Sequence, residues 1–464
     1  MRTAVVIILF LISRSGLAQD NNVLSFNEYL GYVKKYHPIA KQAELTIGLG
    51  QANLMKARGA FDPKIEADYD KKNFKGSEYY DKLNATFKVP TWFGLEFKAG
   101  FEQNEGVFLN PEANVPTDGL YNAGISLDAF GILINDRVAT LKKAKLFREQ
   151  TKADRDILVN EILFEASNAY LTWLRTYNET KIYESFLSNA ETRFQGIKSS
   201  VLAGDKASID SVEAKIVVQD RALNLEQAKV RYMKASLELS NFLWLNDNIP
   251  VELQPNVVPN TMIVDEIDET LSIEGAVFEQ FEIEDHPKIR SLNFKLQRLE
   301  VERRLKVRNL LPKLDVEYNF LTESADRLNT FQTENYKGGI TFRFPLFLRK
   351  ERGDLKLAKF KIRDTDFEIL STELAIKNKT SAIYQEISSL ERQNTLIVDM
   401  VSNYETMLRA EERKFSFGES SLFLINSREL KLIDMKLKQV GTMNKYFMAK
   451  VALFNSLAIN PENL

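Results

Sequence analysis

The sequence predicts a mainly α-helical protein with membrane-type β-strands, built as a duplicated unit of short helix, strands and long helical hairpin. Three observations predict it. Landmarks recur at a fixed separation. Two proline-free stretches carry helical periodicity. The segments between them alternate apolar and charged residues with a period of two.

The duplication is read from paired landmarks. His37-Pro38 and His286-Pro287 lie 249 residues apart, and the same offset joins Pro63-Lys64 to Pro312-Lys313. Further on, Gly124-Ile125-Ser126-Leu127 matches Gly339-Ile340-Thr341-Phe342 at an offset of 215, and Gly204 matches Gly418 at 214. The change from 249 to 215 leaves 34 extra residues in the first copy, between Pro63 and Gly124.

Elements follow in chain order. Arg2, an apolar run Ala4–Ile12 and the small residues Gly16 and Ala18 read as a secretory signal peptide over 1–18. The first repeat then spans 19–247, with strands about 64–128 and a long helical hairpin about 136–245. Pro250, Pro255 and Pro259 mark an extended linker, 248–272. The second repeat spans 273–464, with strands about 313–344 and a hairpin about 350–458.

No proline interrupts 117–249 or 346–460, which permits very long helices. The first arm, Asp136 to Val201, would reach on the order of 100 Å. Ile216, Leu223, Val230 and Leu237 step by seven, as do Ile433, Val440, Phe447 and Phe454, the spacing of coiled-coil packing. Gly204-Asp205 and Gly418-Glu419 mark the two hairpin turns.

The strands have one oily and one ionic face. Ile65, Ala67 and Tyr69 alternate with Glu66, Asp68 and Asp70; Leu314, Val316 and Tyr318 alternate with Asp315 and Glu317. Lys82–Val89 and Leu95–Glu102 form a further hairpin inside the 34-residue excess. Nearby Tyr79, Tyr80, Trp92 and Phe93 suit a membrane interface. No stretch is apolar enough for a spanning helix, so entry into a membrane requires a closed barrel. One chain offers too few strands to enclose water, so copies must share a barrel.

Composition narrows function. The absence of cysteine removes thiolate sites, and two histidines leave little room for an imidazole centre. Against 62 basic residues stand 64 acidic ones, which gives no basic face for nucleic acid. No pair of carboxylates stands out as catalytic. The reading is not an enzyme, with no cofactor and no metal.

The paired landmarks His37-Pro38 and His286-Pro287, Pro63-Lys64 and Pro312-Lys313, with the turns Gly204–Asp210 and Gly418–Asn426, resemble the TolC family of outer-membrane efflux and export channels. The resemblance covers essentially the whole mature chain. It implies a homotrimeric β-barrel in outer-membrane lipid, continued by a periplasmic α-helical barrel. It also implies a passive conduit that docks a periplasmic adaptor protein and an inner-membrane transporter in a Gram-negative bacterium. The adaptor-contact tips are then Gly204, Asp205, Ser208, Gly418, Glu419, Ser420 and Ser421. Asp205, Asp210, Glu213 and Glu419 are candidates for lining the periplasmic mouth; Ser208, Asp210, Ser420 and Ser421 suit helix capping.

Two features depart from the family plan of two strands per copy. The extra hairpin lies either in the barrel or outside it. Asp128-Ala129-Phe130-Gly131 also lacks the proline that follows Phe344 in the second copy. The rival readings are a soluble periplasmic coiled-coil scaffold, which leaves the amphipathic strands unexplained, and an adaptor, which would carry a compact β domain and usually one helical hairpin where this chain has two.

Overall fold

The computed structural model describes residues 22–132, 134–273, 281–328 and 333–459; the signal peptide assigned to 1–18 lies outside them. The chain opens with β1 (Asn22–Leu24), α1 (Phe26–Tyr36) and α2 (Pro38–Arg58). Strands β2 (Lys64–Phe74), β3 (Ser77–Pro90), β4 (Leu95–Glu105) and β5 (Leu120–Asp128) lead into α3 (Asp136–Leu202) and α4 (Ser208–Ser240). After β6 (Val257–Pro259) and the short α5 (Ile267–Leu271), the plan repeats. It runs through α6 (Pro287–Arg308), β7 (Lys313–Thr322), β8 (Tyr336–Arg343), α7 (Arg349–Ser416) and α8 (Leu422–Leu457).

The compact units do not follow the repeats. One comprises 1–43, 156–282 and 375–464, the other 44–155 and 283–374, so each takes material from both copies. The duplication is therefore woven through the fold.

The first unit has a core of Phe26, Tyr29, Leu163, Tyr170, Trp173, Leu239, Ile267 and Phe454, all fully buried. Tyr170 is its polar anchor. Its hydroxyl donates to the Leu24 carbonyl at 2.8 Å and accepts the Asn260 N–H at 3.2 Å. Burial pushes its pKa well above the usual tyrosine value. These bonds hold β1 beside β6, the parallel pair Asn22–Leu24 with Val257–Pro259. The linker is thus not merely extended: it contributes a strand and, in α5, three buried residues, Ile267, Thr270 and Leu271.

Both hairpins end alike. Gly204 (φ +85°) and Gly418 (φ +79°) adopt the left-handed conformation. Gly204 N–H donates to Val201 O and Asp205 N–H to Ser200 O; Gly418 and Glu419 repeat this with Phe415 O and Lys414 O. This double bond pattern satisfies the last carbonyls of a helix, and glycine takes it without a Cβ penalty.

The second unit holds a six-stranded antiparallel sheet of order β2-β3-β4-β5-β7-β8. The sheet keeps chain order, although α3, α4, β6, α5 and α6 intervene between β5 and β7. The two-residue turn Lys75-Gly76 has positive φ at both positions, the turn whose twist suits a tight hairpin. At the proline-less junction the side chains do the work. Gly131 N–H donates to the Asp128 carboxylate at 3.0 Å, Arg308 pairs with the same carboxylate, and Asn135 Oδ1 accepts the Val138 N–H at 2.9 Å to cap α3.

The repeated His-Pro dipeptide has a local explanation. His286 Nδ1 accepts the Lys288 N–H at 3.0 Å with Pro287 at the first helical position; His37 Nδ1 accepts the Ile39 N–H at 3.3 Å. Proline loses nothing at that position, since its missing donor had no helical partner. The acceptor lone pair exists only on a neutral imidazole. Burial lowers the His37 pKa below the usual histidine value. His37 therefore contributes stability that is complete above the unfolded imidazole range and lost as pH falls through the lowered folded value. Replacing His37 by alanine is expected to cost about 1 kcal/mol at neutral pH, and asparagine should restore the cap. Thermal melts at neutral and mildly acidic pH check this: the asparagine variant should lose less stability on acidification than the parent.

Candidate functional site

The sheet is the first candidate. Residues directly opposite in neighbouring strands share a face. One face therefore collects Ile65 with Phe87, Ala85 with Phe101, Phe97 with Ile125, Ile125 with Tyr318, and Val316 with Ile340. The other collects Glu66, Lys88, Lys98, Glu102, Asp315, Glu317, Lys337 and Arg343. The alternation visible in single strands thus becomes two continuous surfaces.

The charged face is concave. Lys98 of β4 meets Glu317 of β7 at 3.3 Å, passing over Gly124 of the intervening β5. Lys337 of β8 reaches Glu102 of β4 at 3.5 Å across both β7 and β5. Strands stand about 4.8 Å apart, so a flat sheet would hold those two backbones about 14 Å apart. Ion pairing at that span requires the sheet to curl toward its charged side. Arg343–Asp315 at 2.7 Å and Lys88–Glu66 close neighbouring strands on the same face.

The apolar face has aromatic margins. Exposed Phe74 and Phe108 flank Tyr79 at one end, where Tyr79 stacks on Phe108 at 4.6 Å. Trp92, Phe93, Phe130, Phe344 and Phe347 are exposed at the other, where β5 and β8 end. The 14 residues of β3 reach about 35 Å at a ~40° tilt and the 8 of β8 about 20 Å, bracketing the ~25 Å apolar band of membrane barrels. Both outer strands, β2 and β8, are exposed at every residue, and their outward edges carry unpaired backbone groups.

The second candidate is the pair of hairpin tips. An added Cβ at Gly204 or Gly418 would meet nothing within 4 Å, so both turns face open space. Ser421 caps α8, accepting the Leu424 N–H at 3.4 Å, and Ser420 bonds the Glu411 carboxylate. Ser208 does not cap: the cap position of α4 belongs to Ala207, which has no side-chain acceptor, leaving Ser208 in the first turn with Asp210. Glu213 accepts the Asn426 amide at 3.2 Å, tying one tip to the other. Lys206 lies 4.2 Å from the Phe415 ring centroid, a second tie of the same kind. The turns are brought together; Asp205 and Glu419 remain exposed.

Sequence reading missed the polar cluster behind these tips. Glu429 is completely buried and meets Arg193 at 2.8 Å and Arg221 at 3.6 Å; Arg193 also meets Glu412 at 3.5 Å. Four helices, α3, α4, α7 and α8, each contribute one member. No local pattern announces such a site, because its residues are more than 200 positions apart across the repeats.

The heptads divide. Ile433, Phe447 and Phe454 are buried, whereas Ile216, Leu223, Val230 and Leu237 on α4 are about half exposed, a coiled-coil seam without its other half. Among the described residues no helix is long and apolar enough to cross a membrane.

A sheet with one oily and one ionic face, in a chain that also forms two long helical hairpins, is the set of elements found in outer-membrane channel folds. Residues 280–427 match the family model for outer membrane efflux proteins. The fold is similar throughout to the outer membrane channel CmeC of Campylobacter jejuni (13% identity, TM-score 0.64, covering 95% of this chain and 86% of that one). It is similar to VceC of Vibrio cholerae (13%, TM-score 0.64, 93% and 96%) and to the open state of the MtrE channel of Neisseria gonorrhoeae (11%, TM-score 0.65, 93% and 88%). No curated protein sequence matches the chain. Residues 280–427 thus carry an outer membrane efflux protein domain, within a fold shared over nearly the whole chain with outer-membrane channels.

Proposed function

We propose that three copies of this chain close their sheets into one barrel and stack their hairpins into a helical tunnel, forming the passive outer-membrane conduit of a tripartite efflux or export system. The observation that carries this reading is the sheet: one apolar face, one charged concave face, and two open edges. Unpaired edges cannot sit in hydrocarbon, and joining β8 of one copy to β2 of the next removes them. The exposed seam on α4 finds its partner in the same step, against a neighbouring copy.

Chemistry is not required of such a conduit; it offers a wet path and leaves cargo selection to the pump. The tips Gly204–Asp210 and Gly418–Asn426 are the surfaces offered to a periplasmic adaptor, which in turn engages an inner-membrane transporter. Asp205, Asp210, Glu213 and Glu419 bring negative charge to the periplasmic mouth and favour cations there. Packed hairpins open by small sliding and rotation, so gating belongs to the same region.

Reconstitution tests the reading. The purified protein is expected to fractionate with the outer membrane, to run as a detergent-dependent oligomer, and to conduct ions in planar bilayers. Recovery as a soluble monomer without conductance would overturn it.

A further inference from the structure

Resting on the channel reading above, we infer that the inserted hairpin β3–β4 is part of the membrane wall, so that each copy supplies six strands and the barrel is built wide, with a charged lumen fit for bulky hydrated cargo. The duplication identifies the insert. Pro63-Lys64 matches Pro312-Lys313, so β2 corresponds to β7; Gly124 matches Gly339, so β5 corresponds to β8. What remains in the first copy is β3 and β4, the 34-residue excess.

Those two strands are not appended to the sheet; they sit inside it, between β2 and β5. Their oily residues continue the oily face: Leu83, Ala85, Phe87 and Val89 pair with Gln103, Phe101, Ala99 and Phe97, and the last three continue to Tyr121, Ala123 and Ile125. Their charges complete the concave face, since Lys98 and Glu102 of the insert hold Glu317 and Lys337 of the second repeat. The backbone fit is equally close. A Cβ on Gly100 of β4 would sit 2.9 Å from the Asn122 amide of β5, so the glycine makes room for its neighbour. A hairpin lying outside the bilayer would need none of these features.

Width follows from strand number. Three copies of a six-stranded sheet make eighteen strands, a wall about 36 Å across at a ~40° tilt. The two-strand plan of the second repeat, used throughout, would give twelve strands and about 24 Å. Pores of sixteen to eighteen strands leave an open aqueous channel. The outer exit is thus not the size filter.

The chain contains no cysteine, so single cysteines report cleanly. Residues Ala85 and Ala99 on the oily face, and Asn84 and Lys98 on the charged face, are replaced singly by cysteine in proteoliposomes, with Tyr318 and Asn319 of β7 as a reference pair. A membrane-impermeant maleimide should label the charged-face cysteines about tenfold faster than the oily-face ones in both strand sets. In a second arm, residues 77–105 are deleted, which leaves β2 free to pair with β5. Thr341→Cys in the lumen is then probed from outside with maleimide–polyethylene glycols of increasing size. The largest polymer reacting with the full chain should fail on the deletion.

Alternation in β7 with equal labelling of both faces of β3–β4 overturns the inference and leaves the channel reading standing. An assembled deletion with an unchanged polymer limit also overturns it. Loss of alternation in β7 itself would remove the channel reading too. Should the deletion not assemble, the labelling arm decides alone.

Discussion

Replacing Glu429 with leucine is expected to lower stability by about 3–5 kcal/mol, among the largest effects of any single substitution in the helical hairpins. The carboxylate is wholly buried and is shared by Arg193 at 2.8 Å and Arg221 at 3.6 Å. Arg221 is itself 2% exposed and Arg193 largely covered, so removing the anion leaves two buried guanidinium groups with one carboxylate each, Asp220 at 2.7 Å and Glu412 at 3.5 Å. The penalty arises from those under-compensated buried charges more than from the lost attraction. Two companion variants separate the causes. Arg221→Met in the Glu429→Leu background should recover part of the loss, because it removes one buried charge whose remaining partner, Asp220, is half exposed. Glu412→Gln alone should cost little, since that carboxylate is nearly half exposed and contributes a peripheral contact at 3.5 Å. Thermal unfolding of the detergent-solubilised oligomer checks all three. A Glu429→Leu loss under about 1 kcal/mol would show that water reaches the cluster.

The second large effect concerns the sheet. Ile125→Arg is expected to destabilise each copy by about 2–4 kcal/mol in a bilayer, whereas Ser126→Arg should be nearly neutral. The two residues are adjacent in β5 and point to opposite faces. Ile125 lies between Phe97 and Tyr318 on the oily side; Ser126 lies on the ionic side between Glu96 and Glu317, which already pair with Arg137 and Lys98. The comparison holds strand, depth and substitution constant and changes only the side of the wall. Unfolding in urea from lipid vesicles, with assembly yield as a second measure, reads it. Equal costs at both positions would mean that the sheet does not divide oil from water.

Periodic features were legible because their cause is local. A strand with oil on one side must alternate, and a helix with one packed stripe must recur every three or four residues, wherever in the chain it lies. The strand segments, the helical arms, the glycine turns and the repeated His-Pro caps all follow from a few neighbouring residues. The cap function of Ser208 was misread for a related reason. Its neighbour Ala207 takes the cap position, and a shift of one residue at a helix start lies below what pattern alone can resolve.

What the chain order alone determined, then, is the inventory of this protein: a doubled unit, amphipathic strands, long rods and open turns, each dictated by interactions between residues close in sequence. The tertiary structure decided the pairings. It placed β3–β4 inside the sheet, curled the charged face inward through Lys98–Glu317 and Lys337–Glu102, gave the linker a strand beside β1, and buried Glu429 between arginines of two other helices. Such contacts join residues up to more than two hundred positions apart. Their energy depends on distance in space and on exclusion of water, neither of which leaves a periodic mark on the chain.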